Sequence, residues 1–339
     1  MSSVHIGQTV MPKGPARVEI GLSAAIVSVS RDEPLIMCVP TDADGETVDA
    51  LPSGPFSPLE HRTLDAGLRA WVADQTDLDL GYVEQLYTFG DRGRHAQPFD
   101  QTPHTVSIGY LALTRKPVDA DDSASEGAVW RSWYDFFPWE DWRQGKPSLL
   151  TDEIEPRLIE WASRVDTEPK AFRTVSRLER VRMAFGFDGG AWDEERVLDR
   201  YELLYDAGLV HEARRDGREV SLTWGALPKF GTPMLFDHRR IFATAIGRLR
   251  GKLKYRPVIF EMMRDEFTLF ELQKTVEAIL GPHLHKQNFR RLVESAGLVE
   301  PTGDVRAKTG GRPAKLYRFR RDVLIERPAP GVRVKPGRA

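Results

Sequence analysis

TLFELQKTVEAILGPHLHKQNFRRLVESAGLVEPTGDVRAKTGGRPAKLYRFR, residues 268–320, is the stretch from which the architecture unfolds. Thr268 stands three residues before Glu271 and opens a run that puts Leu269, Leu272, Val276 and Ile279 on one face, which is a capping box at the head of an amphipathic helix. Gly281-Pro282 ends that helix. A second helix is expected over residues 285–295, with Phe289, Leu292 and Val293 turned inward and Lys286, Gln287, Asn288, Arg290 and Arg291 turned outward. Ala296-Gly297-Leu298 stops it. The chain then runs through Val299-Glu300-Pro301-Thr302-Gly303 into a basic, glycine-rich loop and returns through Leu316-Tyr317-Arg318-Phe319.

Two helices, a strand, a basic tip and a returning strand make a winged helix-turn-helix. Residues 267–321 hold 11 Lys and Arg against 5 Asp and Glu, a surplus of six positive charges inside a chain of net charge -2. A polyanion is met by such segregation, not by the average charge. On the second helix, Gln287 and Asn288 suit adenine edges, and Arg290 or Arg291 suits guanine or phosphate. Lys308, Arg312 and Lys315 at the tip supply phosphate contacts that do not depend on sequence. A lone charge run is usually a solvated face. Here charge, helix pair and wing coincide, and the expected partner is double-stranded DNA.

Working outward, 339 residues exceed what one core usually serves, so two or three domains are expected. With 41% hydrophobic and 29% charged residues the chain can bury real cores and is not a disordered polymer. Cys38 is the one cysteine, which excludes a disulfide framework, and it reads as a buried core thiol. The N-terminus lacks a secretory pattern, and no apolar run approaches the roughly 18 residues that span a bilayer, so a cytoplasmic protein is expected.

Residues 18–29 and 35–39 read as a strand, turn and strand. Leu64, Leu68, Trp71 and Val72 give an amphipathic helix over residues 63–75, and strands are expected at 82–89 and 105–113. The acidic, small residues at 118–126 read as an exposed boundary. The tryptophans that follow, Trp130, Trp133, Trp139 and Trp142, read as packing. Residues 118–230 form a helical connector with no legible purpose. A further helix spans residues 237–253, its closing Arg250, Lys252 and Lys254 read as complements to the helix dipole, and Pro257 ends it. The domains expected are therefore 1–117, 118–230, 231–326 with the winged helix, and a disordered tail, 327–339.

Leu51-Pro52-Ser53-Gly54-Pro55-Phe56-Ser57-Pro58-Leu59-Glu60, followed by a helix, resembles the loop and helix of the Nudix box. Active members hold divalent metals on several helix glutamates, and the metals activate water against a diphosphate. Gly54 and Glu60 match the first two fixed positions. Beyond them, one alignment puts Trp71, Asp74 and Gln75 where the glutamates belong, and the ungapped one puts Leu68, Arg69, Val72 and Ala73 in the arginine and glutamate positions. At most one helix carboxylate survives in either. The resemblance thus implies no catalytic residues and no metal ligands, while a nucleotide-shaped cleft persists.

The run from Tyr82 to Arg94, with residues 106–113, resembles the ligand-proximal part of Nudix-related regulators of NAD metabolism, the NrtR type. Phe236-Asp237-His238 and residues 248–257 resemble that family's linker helix. Asn288-Phe289-Arg290-Arg291 and residues 311–318 resemble its winged helix. With the degraded box and the added central segment, the likeness is greatest to the longer alphaproteobacterial, NadQ-type branch. It implies an α+β multidomain protein: a Nudix-like α/β/α sandwich, a helical connector and a winged helix. It also implies a homodimeric repressor on a palindromic operator near NAD biosynthesis genes. An adenine nucleotide (ADP-ribose, NAD or ATP) would act as effector, with no required cofactor. Gly54, Phe56, Glu60, Phe89, Asp91, Arg92 and Arg94 are the expected effector residues. The alternative is a Nudix hydrolase of ADP-ribose or a related diphosphate with the winged helix as an accessory.

Overall fold

The computed structural model describes residues 17–43, 45–91, 94, 104–115, 123–125, 127–164, 175–306, 313–326 and 331. The expected tail at 327–339 lies outside the described residues apart from Gly331, which is buried beside Tyr255.

β1 (Val18–Ser30) and β2 (Glu33–Ala43) form the expected hairpin. Its turn is Arg31-Asp32, with φ of 50° and 65°, the left-handed pair that a two-residue hairpin requires. β3 (Glu46–Ala50) pairs with β2, and β4 (Ser53–Pro55) with β1. α1 (Leu64–Thr76) follows, capped by the Thr63 side chain. β5 (Tyr82–Phe89) and β6 (His104–Leu113) sit where strands are expected, with β6 parallel to β1. The sheet then continues past residue 117. β7 (Ser123–Ser125) and β8 (Ala128–Ser132) complete it, β8 lying antiparallel to β2, in the order β5-β6-β1-β2-β8-β7. The boundary expected at 117 therefore falls inside the sheet, because acidic composition marks exposure and does not reveal which strand a later segment pairs with.

Seven successive β1 residues, 22–28, are buried because both faces of the sheet are covered. Leu22, Ala24 and Ile26 join Met37, Ile108 and Tyr110 beneath Leu68 and Val72 of α1. Ala25 and Val27 join Ile36, Cys38, Leu111 and Leu113 on the opposite face, in the larger core. Cys38 is buried, as expected.

The central segment builds that second face. Ser132 caps α2 (Trp133–Phe136), and the Trp133 indole donates to the Leu35 carbonyl at 3.1 Å. A 3-10 turn, Pro138–Glu140, and a π-helical turn, Leu150–Ile154, lead into α3 (Glu155–Ser163). α4 (Arg177–Phe185), α5 (Val197–Asp206) and α6 (His211–Arg215) follow. Trp133 and Trp139 are fully buried, so the packing reading of these aromatics holds. α7 (His238–Leu253) lies across β1, β5 and β6 and supplies the second helical layer of the sandwich. It is a wall of the first domain as much as the entrance to the last.

The expected helix-turn-helix is α8 (Leu269–Leu280) and α9 (Lys286–Ala296), followed by β9 (Val299–Arg306), β10 (Ala314–Phe319) and α10 (Val323–Glu326). β9 and β10 pair antiparallel, and Phe267 bridges to Tyr317 as a short third strand. A single hydrophobic cluster runs from Leu111 through Trp133, Tyr201 and Phe242 to Phe289 of α9. The segments drawn as three domains thus share one core. Among the described residues, no helix is long and apolar enough to cross a membrane.

Candidate functional site

α9 presents the face that the sequence predicts. Phe289 and Val293 are buried, Leu292 is half-buried, and Lys286, Gln287, Asn288, Arg290 and Arg291 are exposed. No side chain caps its first turn, which leaves amide donors at the end where the polar residues gather. The turn before it is fixed by buried Glu277 of α8. Its carboxylate accepts from Gln273 Nε2 at 2.8 Å, Leu284 N at 2.9 Å and Lys274 Nζ at 3.1 Å. Burial opposes its charge, but these donors outweigh it and hold the carboxyl below the ordinary range.

Of the eleven basic residues counted in the module, four are neutralised locally. Lys274 pairs with Glu277, Arg306 with Glu271, Arg318 with Glu300 and Arg320 with Glu326. Lys286, Arg290, Arg291 and wing residue Lys315 are exposed, with no carboxylate partner among the described residues. Lys308 and Arg312 lie outside the described residues. Among the described residues of the module, the cations left available for a polyanion are therefore those on α9, Lys315 of the wing and Arg321 in the turn after β10.

Among the described effector candidates, Gly54 and Phe89 lie near one end of the sheet, on opposite faces. Phe89, Ser107, Gly21 and Pro55 form one row across four strands. Gly54 and Phe56 face α1. A Cβ at Gly54 would fall 2.2 Å from the Trp71 ring, so only glycine lets the indole lie there. Trp71 Nε1 donates to the Pro55 carbonyl at 2.9 Å, and the Gln75 amide accepts from Ser53 N and donates to Ser53 O at 3.0 and 2.8 Å. Two positions aligned with family glutamates instead pin the loop to the helix. Glu60 and Asp74 are exposed, and Asp65 is paired with Arg69. Among the described residues, no three His, Cys, Asp or Glu side chains converge as a metal site.

On the other face Phe89 is buried under Arg240, whose guanidinium lies 5.2 Å from its ring. Asp91 pairs with Arg240, and that hydrogen bond lowers its carboxyl pKa. Arg94 reaches Glu202 of α5 at 2.9 Å and Asp237 at 3.5 Å, and lies 3.7 Å from the Tyr205 ring centre. Arg92 lies outside the described residues. Asp91 and Arg94 are thus clamped to the central segment and α7, where the sequence reading left them lining an open cleft.

Residues 259–319 match the family model described as the NrtR DNA-binding winged helix domain. That segment is similar to the NrtR winged helix. A curated relative from Acinetobacter baylyi, an ADPR responsive transcriptional repressor NtrR, is 43% identical over 86 residues, 25% of this chain and 34% of the relative. The match thus spans about a third of that relative's length. The crystal structure of Shewanella oneidensis NrtR complexed with a 27mer DNA is 19% identical, covers 90% of this chain and 95% of its own, and superposes with a TM-score of 0.51. A second crystal structure of Shewanella oneidensis NrtR, 19% identical over 90% of this chain and 95% of its own, superposes with a TM-score of 0.50. The chain therefore has the NrtR fold, with the sheet sandwich and the winged helix in the same order.

Within this NrtR fold the charged residues that the sequence reading missed are buried arginines. Arg239 of α7 pairs with Glu212 at 3.3 Å and donates to the Phe136 and Phe230 carbonyls. Arg250 was read as a dipole complement but is fully buried against Glu140 at 2.6 Å. Lys252 pairs with Glu84 at 2.5 Å, and Lys254 with Glu194 and Glu195 at 2.8 and 2.5 Å. Arg239 and Arg250 lie eleven positions apart, close to three helical turns, on the stripe that carries Phe242, Ile246 and Leu249. That spacing was the available signal.

Proposed function

We propose that this protein is a DNA-binding transcriptional repressor whose grip on its operator is set by an adenine nucleotide held at the row end of the sheet. The reading rests on α9: five polar or cationic side chains point to solvent without carboxylate partners, above a buried Phe289 and Val293 that fix the helix's orientation. Gln287, Asn288, Arg290 and Arg291 read bases or phosphates in the major groove, and Lys286 and Lys315 bind phosphate. ADP-ribose is the effector chemistry favoured over NAD and ATP, since the Acinetobacter relative is named for its response to it. Gly54, Phe56, Glu60, Phe89, Asp91 and Arg94 border the site. A homodimer on a palindrome beside NAD biosynthesis genes follows from the same reading. The sheet half binds its nucleotide without cleaving it, because α1 offers Trp71 and Gln75 where metal-holding acids would be needed.

Fluorescence anisotropy with a duplex from upstream of the protein's own gene tests this reading. Arg290→Ala should weaken binding by about 1 to 3 kcal/mol if the side chain reads a base. The wild-type affinity should fall steeply with salt. Unchanged affinity in Arg290→Ala and Arg291→Ala alike would remove α9 from the interface.

A further inference from the structure

Three ionised side chains meet in the interior at the joint between the sheet half and the winged helix. Glu140 comes from the 3-10 turn after α2, Arg200 from α5 and Arg250 from α7, and each is at most 1% exposed. Arg200 grips both carboxylate oxygens of Glu140 at 2.6 and 2.9 Å and donates to the Ala184 and Asp193 carbonyls at 2.9 Å. Its guanidinium lies 3.8 Å from the Trp192 ring centre. Arg250 Nη1 donates to Glu140 Oε2 at 2.6 Å and to the Glu194 carbonyl at 3.1 Å. Burial opposes the Glu140 charge, but the two arginines outweigh it and hold the carboxyl below its usual range.

The same cluster completes the end of α8. The last carbonyls of a helix have no partner inside it and normally take water or a cap. Here Tyr134 Oη donates to the Ala278 carbonyl at 2.9 Å, and Arg250 Nε to the Ile279 carbonyl at 2.8 Å. Gly281, at φ 99°, fits so closely that a Cβ there would lie 3.1 Å from the Glu140 carbonyl oxygen. The first helix of the winged domain is therefore capped by residues of the other half.

Two helices connect this joint to the loop after β5. α5 carries Arg200 at the joint and Glu202 beside Arg94; α7 carries Arg250 at the joint and Arg240 beside Asp91 and Glu202. Ten residues of α7, about 15 Å, separate the two clusters. A displacement of Asp91 and Arg94 must move the helices that hold the end of α8, or break their charge pairs with Arg240, Glu202 and Asp237.

We propose that Glu140, Arg200 and Arg250 are positioning residues that fix the winged helix at one orientation to the sheet and pass the positions of Asp91 and Arg94 to α9. The second half of this statement rests on the effector reading above; the first half does not. The central segment, through α5 and the turn at 138–140, thereby acquires a role: it welds effector half to DNA half.

Spin labels on Thr88→Cys and Glu294→Cys, both exposed and outside either proposed site, report the distance between the halves, with buried Cys38 left in place. With labelled chains diluted into excess unlabelled protein so that distances within one protomer dominate, the unaltered joint should give one narrow distribution. Glu140→Met, Arg200→Met and Arg250→Met combined, an apolar replacement of a kind that buried ion triads tolerate, should keep the melting transition but broaden or shift the distribution. Should that triple variant not fold, Arg250→Lys keeps the charge while losing the guanidinium fork and should show the same change. A narrow, unmoved distribution in whichever variant folds overturns the proposal. In DNA titrations, addition of ADP-ribose should change wild-type affinity about tenfold and the variant's hardly at all. An equal response in both would refute transmission, whereas a wild type indifferent to ADP-ribose would count against the effector reading and leave the distances to judge the positioning.

Discussion

Asp237 stands where the charge cluster of the 91–94 loop meets the start of α7. Burial pushes its carboxyl up to about 6, against the pull of Arg94 and Arg240 and with the push of Glu202 and Asp216. In the unfolded chain the same group titrates near 4. Between those values the unfolded state has released its proton and the folded state has not, so the contribution present below about pH 4 is lost as pH rises through about 6. The gap corresponds to about 3 kcal/mol. Asp237→Asn mimics the protonated form. Denaturant melts of the two proteins should show the wild type gaining on the variant as pH falls from about 7.5 to about 4.5; a constant difference would contradict this environment for Asp237. Gly54 offers a steric counterpart. Gly54→Ala must displace the Trp71 indole and its bond to Pro55, and should cost about 1 to 3 kcal/mol. A wild-type midpoint would show that the loop is not pinned there.

At the scale of elements, the turn between α8 and α9 hangs on one carboxylate. Glu277→Ala removes the acceptor for Gln273, Lys274 and the Leu284 amide, and should destabilise the winged helix by about 1 to 3 kcal/mol and weaken DNA binding with it. Retained stability with retained affinity would mean that the turn is held by other contacts. The helices α1, α7, α8 and α9 were legible because period and caps are local: Thr268 and Glu271 announce α8, and Thr63 begins α1. β8 was not legible as part of the sheet, because its partner Leu35-Ile36-Met37-Cys38 lies some ninety residues away. Arg239 and Arg250 were not legible as core, because a charged residue is buried only when its partners are, and Glu212 and Glu140 come from separate segments. The effector candidates were named in the sequence from a resemblance alone, which gave no hint that Arg94 and Asp91 would be spent on Glu202 and Arg240.

Across the whole molecule, the sheet sandwich, the central segment and the winged helix share one core, and α9 and the wing present exposed cations without carboxylate partners among the described residues. A ligand can move the DNA equilibrium only as far as it prefers one arrangement of these halves to the other. The most direct test follows a labelled duplex from upstream of the gene at low ionic strength, with and without ADP-ribose, while AMP release is monitored in magnesium. Binding that weakens as salt is added, an affinity that shifts with ADP-ribose, and no AMP are the expected results. A protein that ignored every duplex yet released AMP would contradict the account.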